Sequence, residues 1–392
     1  MPTIKITDLN LKNKKILIRS DLNVPIQNEK ILSHTRIHAS LPTIQFALKN
    51  KAKVIVASHL GRPIEGKHEK KFSLFPIFKY IKKILPDTNV YFIKKFTDNI
   101  KIQPGELAIL ENVRLNIGET KNDTNLSKKY ATLCDIFVMD AFGTIHRDES
   151  STNGIIKYSN IACCGLLLTS ELKALKKALK NPERPMISIV GGAKVSTKFN
   201  TLTELAKISD NLIVGGGIAN TFIAINHNVG KSLYEPKFIN QAKLLNKHYN
   251  IFIPTDSRVK NTLKNDNFAI IKKVSDINSN DEIMDFGDTS IINMKNIIKT
   301  AKTILWNGPI GVFEFKNFRK GTQELSKAIA SSNAFSIAGG GDTLSAIEKF
   351  KIQNKISYIS TGGGSFLKFL EGKNFNIIKL LKKHFEKQKI NN

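Results

Sequence analysis

Eleven short apolar runs recur along the chain. They are KKILIRS at 14–20, AKVIVAS at 52–58, NVYFI at 89–93, ELAILE at 106–111, DIFVMD at 135–140, PMISIV at 185–190, DNLIVGG at 210–216, YNIFIP at 249–254, KTILWN at 302–307, AFSIAG at 334–339 and ISYIST at 356–361. Runs of four to six mostly β-branched residues, without polar alternation, have the signature of parallel strands buried on both faces. Between them lie stretches of helical spacing, such as SKKYATLCD at 127–135, TKFNTLTELAKIS at 197–209 and TQELSKAIASS at 322–332. Strand–helix alternation of this kind predicts an α/β fold, with right-handed crossovers winding helices onto both faces of a parallel sheet. No fixed-period repeat is evident.

Length turns this into a two-domain prediction, since 392 residues exceed one usual core and suggest two of about 180 residues. The boundary is expected near ELKALKKALKNPERP at 171–185, a lysine-rich helix stopped by Asn181-Pro182 and followed by Pro185. The expected architecture is therefore two doubly wound, Rossmann-like parallel-sheet domains joined by a hinge: 1–170, a linker at 171–185, and 186–374.

Charge and cysteines narrow the function classes. The net charge is +27, which ordinarily points to nucleic acid or an anionic membrane. Here the lysines are scattered, come with abundant Ile and Asn, and show no aromatic-basic interleaving. The basicity therefore reads as a solvated lysine surface, and nucleic-acid binding is not expected. No apolar stretch approaches the roughly 20 residues of a bilayer-spanning helix. The start lacks the apolar block of a secretory signal, and Cys134, Cys163 and Cys164 fit neither a disulfide framework nor a zinc pattern. A cytoplasmic protein without a membrane segment is expected.

Arginine carries more information than lysine. Only eight of the sixty basic residues are arginines, and Arg19, Arg36, Arg62, Arg114 and Arg147 all precede residue 150, in or beside loops that follow apolar runs. A guanidinium presents a planar fork that grips phosphate or carboxylate bidentately. Several forks in one half of a chain suggest a pocket for a small, multiply charged anion.

The second half has a different chemistry. GGAKVSTK at 191–198, GGGIANTF at 215–222, GGGDT at 339–343 and TGGGSF at 361–366 each continue a predicted strand into glycines. Such loops let backbone N–H groups approach a phosphate, and a following helix N-terminus adds a favourable field. Neither a Walker A loop nor G-x-G-x-x-G occurs. Lys194 and Lys198, four apart, would share one helix face and reach successive phosphates. Asp342 suits Mg²⁺, which prefers one carboxylate plus phosphates and water, or the capping of the next helix. WNGPIGVFE at 306–314 adds a rigid turn and a carboxylate, Glu314, suited to ribose hydroxyls.

RSDLNVP at 19–25, HLGRP at 59–63, ENVR at 111–114, DAFGTIHR at 140–147, GGAKVSTK, WNGPIGVFE, GGGDT and STGGGS at 360–365 together closely resemble the phosphoglycerate kinase family, in order and over nearly the whole chain. The resemblance implies reversible phosphoryl transfer between 1,3-bisphosphoglycerate and Mg-ADP, in a monomer whose N-terminal domain holds the triose and whose C-terminal domain holds ATP or ADP with Mg²⁺. Carried over by position, the triose side comprises Asp21, Leu22, Asn23, Arg36, His59, Leu60, Gly61, Arg62, Arg114, His146 and Arg147, with Arg19 structural. The nucleotide side comprises Lys194, Lys198, Gly215, Gly216, Gly217, Asn307, Pro309, Glu314, Gly340, Gly341, Asp342 and Thr343, with Asp342 as metal ligand. Arg36, Lys194, Lys198 and Gly341 are the implied catalytic set. One departure is Asn374-Phe375-Asn376, where the family usually has Leu-Pro-Gly. It bears on the final segment, 375–392, which the resemblance implies packs back on the N-terminal domain.

This assignment is chemically consistent. The nucleophile in the ATP-consuming direction is a carboxylate, already ionised at neutral pH, so no general base is required, and transfer depends on positioning and charge stabilisation. His59 and His146 are then donors. A Rossmann dehydrogenase would need a dinucleotide fingerprint that SDLNVP lacks. A catalytically inactive binding protein on the same fold is the remaining alternative, which turnover of 3-phosphoglycerate and ATP distinguishes.

Overall fold

The computed structural model describes residues 3–95, 100–260 and 269–391, the last four in backbone only. The chain forms two compact units, Met1–Leu172 with Asn374–Asn392, and Lys173–Lys373.

In the first unit the strands are β1 (Lys15–Arg19), β2 (Ile26–Gln27), β3 (Lys30–Ile31), β4 (Lys53–Ala57), β5 (Val90–Ile93), β6 (Leu107–Leu110), β7 (Ile136–Met139) and β8 (Ile161–Cys164). β2 and β3 make a small antiparallel ribbon, and the other six form one parallel sheet in the order β5-β6-β4-β1-β7-β8. The register explains the sequence pattern. Ile16 and Ile18 of β1 lie beside Val54 and Val56 of β4, and Ile16 also beside Ile136 of β7. These residues share one face and join Leu107, Ile109 and Val138 in a core cluster. Helices α1 (Thr35–Lys49) and α2 (Phe75–Ile84) cover that face through Ile37, Ile44, Ile77 and Ile81, all fully buried. Each such side chain stabilises the unit by about 1.5–3 kcal/mol through burial alone. Helix α3 (Thr124–Ala131), the short α4 (Ile155–Tyr158) and α5 (Leu166–Leu179) complete the series. α3 begins earlier than the 127–135 spacing predicts, because Asp123 Oδ1 accepts from Leu126 N at 2.8 Å and caps it. α5 likewise starts five residues before the expected linker helix and carries the chain into the second unit.

The second unit holds β9 (Met186–Gly191), β10 (Asn211–Gly215), β11 (Ile251–Phe252), β12 (Asp256–Lys260), β13 (Ile270–Lys273), β14 (Glu282–Phe286), β15 (Thr303–Asn307), β16 (Phe335–Ala338) and β17 (Tyr358–Ile359). Six of them form a parallel sheet, β11-β10-β9-β15-β16-β17, and β13-β12-β14 is a separate antiparallel sheet. In chain order the parallel sheet reads 3-2-1-4-5-6, the classical dinucleotide-fold arrangement whose crevice opens at the carboxyl ends, where the strand order reverses. Its helices are α6 (Phe199–Ile208), α7 (Gly216–Ile223), α8 (Ile239–His248), α9 (Asp288–Thr300), α10 (Lys320–Ser331), α11 (Gly341–Lys349) and α12 (Gly364–Leu370). A last helix, α13 (Asn376–Asn391), belongs to the first unit. There His384 Nε2 lies 2.8 Å from Ile156 O, and Asn376 Nδ2 donates to Asp148 Oδ2 at 2.9 Å.

All eleven predicted strands are present. The three-stranded antiparallel sheet, the β2–β3 ribbon and β8 were not legible in the apolar pattern. β12 reads DSRVK, yet all five residues are buried, because Arg258 is neutralised by Asp288 and donates to the Phe286 carbonyl, and Asp256 accepts from Ser290. Ion pairing thus makes a charged strand buriable, and periodicity does not register it.

Candidate active site

In each unit the predicted site residues lie in the last residues of strands, the loops that follow them and the first turns of helices. Asp21, Leu22 and Asn23 follow β1, His59 to Arg62 follow β4, Arg114 sits in the turn Val113–Leu115 after β6, and His146 and Arg147 follow β7. Arg36 occupies the first turn of α1. These segments are tied by hydrogen bonds. Asn23 Oδ1 accepts from Gly61 N at 2.9 Å, and Arg36 Nη1 donates to Asn23 O at 2.9 Å while lying 3.3 Å from Asp21 Oδ2. Arg114 Nη1 donates to Gly61 O at 2.8 Å. The side chains of Leu22 and Leu60 belong to the core. Arg62 is exposed.

Arg19 is fully buried and spends its fork internally, donating from Nε to Ser151 Oγ at 2.9 Å and from Nη1 to Ser20 O at 2.7 Å. His59 is buried between two guanidinium groups, with Arg19 Nη2 3.5 Å from Nδ1 and Arg147 Nη1 3.3 Å from Nε2. Burial first, and then Arg19, Arg114, Arg147 and Arg36, hold the imidazole well below its usual range. His59 is therefore neutral at pH 7.

Several site residues escaped the sequence reading. Asn112 laces the β4 and β6 loops, accepting from Leu60 N at 3.2 Å and donating to Leu60 O at 2.7 Å and Phe72 O at 2.9 Å. Glu149 is buried, accepts from Arg114 Nη2 at 2.5 Å, and lies 3.8 Å from Arg19 and 3.9 Å from Arg147. Glu119, also buried, accepts from Ser151 Oγ at 2.5 Å. The available signal was weak: lone acids in an arginine-rich half.

Burial pushes the Glu119 carboxyl from 4.5 up to about 7, with Glu149 adding to the rise and Arg19 and Ser151 opposing it. Because the folded value exceeds the unfolded one, this group's contribution to stability is complete below pH 4.5 and lost as pH rises through 7. Glu119→Gln, an uncharged analogue of the protonated acid, should therefore gain on the parent by about 3 kcal/mol between pH 4.5 and pH 8, a difference of several degrees in Tm. Parallel melting curves across that range would reject the assignment.

In the second unit the glycine loops line a cleft of about 310 Å³ bounded by Gly192, Gly216, Gly217, Met284, Pro309 and Glu314, with Asp342 also on its wall. Gly191 has no room for a side chain, since a Cβ there would collide with the Pro309 carbonyl oxygen. Gly340 has φ +104°, a conformation open to glycine and strained for other residues. It precedes α11, whose first residue Gly341 has open space about it and whose first turn carries Asp342. Thr343 is buried and its Oγ1 accepts from Gly308 N at 2.7 Å, while Asn307 Nδ2 donates to Gly339 O at 2.7 Å. Gly215 packs against the Ile310 backbone.

Lys194 and Lys198 do not share a helix face. Residues 192–198 form a turn, and α6 begins only at Phe199. Two adjacent glycines leave the backbone free to turn, so helical geometry starts later than the i,i+4 spacing suggests. Lys194 is exposed, whereas Lys198 folds inward and donates to Gly191 O at 2.6 Å and to Asn307 Oδ1 at 2.8 Å. Burial lowers its ammonium to about 8, with Asp342 opposing the change. Among the described residues, no three His, Cys, Asp or Glu side chains gather as a metal cage. An exposed single carboxylate such as Asp342 fits Mg²⁺ that arrives with phosphates and water.

The sequence profile of the phosphoglycerate kinase family matches residues 6–373. The phosphoglycerate kinase of Buchnera aphidicola subsp. Baizongia pistaciae (strain Bp) is 74% identical over 392 residues, spanning 100% of both chains. That of Buchnera aphidicola subsp. Acyrthosiphon pisum (strain Tuc7) is 62% identical over 383 residues, 97% of this chain and 98% of the relative. The solved phosphoglycerate kinase from Coxiella burnetii superposes with a TM-score of 0.93 at 46% identity, covering 97% of this chain and 99% of that one. The enzyme from Pyrococcus horikoshii OT3 gives 0.83 at 30% identity, covering 98% and 100%.

Proposed function

This chain belongs to the phosphoglycerate kinase family, and from that premise we propose how its residues divide the work. The activity is reversible phosphoryl transfer between 1,3-bisphosphoglycerate and Mg-ADP, giving 3-phosphoglycerate and Mg-ATP in glycolysis. The acceptor is a carboxyl group, and Mg²⁺ accompanies the nucleotide.

The first unit binds the triose. Its phosphate and carboxylate take the forks of Arg36, Arg62, Arg114 and Arg147, with His146 beside Arg147 and neutral His59 as a single N–H donor. Asp21 and Asn23 orient Arg36. The second unit binds the nucleotide. The base and ribose occupy the glycine-lined cleft with Glu314 at the hydroxyls, and the phosphates meet Lys198, Lys194 and the N–H groups at Gly340 and Gly341. Asp342 would hold Mg²⁺, which when bound would neutralise charge on the phosphates. Arg36, Lys194 and the Gly341 N–H stabilise charge on the moving phosphoryl group, where oriented donors count most. The observation that carries this reading is the segregation at strand carboxyl ends, arginines in one unit and glycine N–H donors with a half-buried lysine in the other. No helix among the described residues is long and apolar enough to cross a membrane, and Cys134, Cys163 and Cys164 are free thiols. The cytoplasm, a reducing compartment, is the location this reading assigns.

A steady-state assay tests the division. Arg147→Ala should raise KM for 3-phosphoglycerate about 10-fold or more with KM for ATP unchanged, since it removes a charged contact of roughly 1.5–3 kcal/mol. Glu314→Gln should raise KM for ATP alone. If either substitution moved both constants together, the assignment would be wrong.

A further inference from the structure

We propose that Glu149 is the internal counter-anion of the arginine half-site, a positioning residue that fixes Arg114 and Arg147 while lowering the half-site's affinity for the triose anion. The inference rests on the assignment of those arginines to the triose.

Three cations converge on this carboxylate. Oε1 accepts from Arg114 Nη2 at 2.5 Å and lies 3.9 Å from Arg147 Nη1, and Oε2 lies 3.8 Å from Arg19 Nη2. Glu149 is 4% exposed, so water screens these interactions little. The backbone fixes its position independently. Its carbonyl accepts from Thr152 N at 3.1 Å and Asn153 N at 2.9 Å, and its N–H donates to Thr152 Oγ1 at 3.1 Å. Arg114, held by Glu149 on one nitrogen and by Gly61 O at 2.8 Å on the other, thus has both terminal nitrogens engaged on the protein. Such an arginine is rigid, and its charge is already partly balanced.

Two consequences oppose each other. Pairing preorganises the guanidinium groups, which favours an oriented transition state. It also removes one unit charge's worth of positive potential from the pocket. At an effective dielectric near 20, a unit charge within several ångströms of an anion alters its affinity by more than about 10-fold. Local rearrangement and screening reduce this, so about 10-fold is expected. Asp21 serves Arg36 instead, and Glu119 is pushed up to about 7 by burial, so neither replaces Glu149 as the balancing charge.

Calorimetry on the full chain, with 3-phosphoglycerate and separately with inorganic phosphate, tests the proposal. Glu149→Gln keeps the shape and an acceptor for Arg114 but removes the charge. It should bind both anions about 10-fold more tightly, with KM for 3-phosphoglycerate falling and KM for ATP unchanged. Glu149→Asp retains the charge one methylene further from Arg114 and should bind two- to threefold more tightly than the parent. A purely structural role predicts weaker binding in both variants. Equal or weaker anion affinity in a cooperatively melting Glu149→Gln would overturn the proposal. If that variant does not fold, the same result in Glu149→Asp overturns it. Arg147→Ala is the control. If its affinity for 3-phosphoglycerate matches the parent's, the assignment of the arginines has failed, which is a different outcome from failure of the Glu149 proposal.

Discussion

Arg36→Lys is expected to lower kcat by about 100- to 1,000-fold, the loss associated with removing one oriented donor from a developing charge. Charge is conserved in this substitution, so the prediction isolates geometry. Arg36 uses Nη1 against Asn23 O at 2.9 Å and Asp21 at 3.3 Å, and its side chain remains 32% exposed. A guanidinium anchored through one nitrogen still has a planar array of donors for the phosphoryl oxygens. A lysine ammonium can replace either the anchor or the ligand contact, but not both at a fixed angle. Binding of 3-phosphoglycerate should weaken much less than kcat falls, because the lost interaction belongs mainly to the transition state. Near-parental kcat in Arg36→Lys would remove Arg36 from the transfer step.

Lys198→Ala should weaken ATP binding by about 10- to 100-fold, the loss expected for a hydrogen bond to a charged group of roughly 1.5–3 kcal/mol. Triose affinity, measured by calorimetry without nucleotide, should stay close to parental. Melting temperature is the poorer readout, since two effects oppose. The substitution leaves Gly191 O and Asn307 Oδ1 without their donor, but it also removes a half-buried ammonium that desolvation lowers to about 8. The same value gives a pH signature. Above pH 8 the parent progressively loses this positive charge, so its ATP affinity should decline as pH rises from 8 to 9.5. In Lys198→Ala that decline should be absent. Equal losses of triose and nucleotide affinity would contradict the assignment of Lys198 to nucleotide alone.

How legible the site was depended on the physics behind each signal. Strands buried on both faces must be apolar throughout, so ILIR, VIVA and LAIL declared themselves. Within the glycine run at 339–341, Gly340 is set by its positive φ and Gly339 by the Phe366 ring that a Cβ would meet, whereas Gly341 has open space. The lysine pair was misread because the spacing rule assumes a helix already formed, and the turn at 192–198 intervenes. β12 was missed because its charged groups are satisfied by residues about 30 positions away, Asp288 pairing with Arg258 and Ser290 donating a hydrogen bond to Asp256.

By itself the sequence determined the α/β class, the eleven strands of the predicted pattern, the split between arginine-bearing and glycine-bearing halves, and the resemblance that gave the chemistry. These are consequences of local rules: which side chains a doubly covered strand accepts, which residues permit a tight turn, and which side chains grip an anion. Only the tertiary structure decided the strand order that sets β1 between β4 and β7 and β9 between β10 and β15. It likewise decided the inward fold of Lys198 and the convergence of Arg19, Arg114 and Arg147 on Glu149. These pairings join residues between 2 and 130 positions apart. What selects them is desolvation, because a charge taken out of water must find its partner wherever the fold places one.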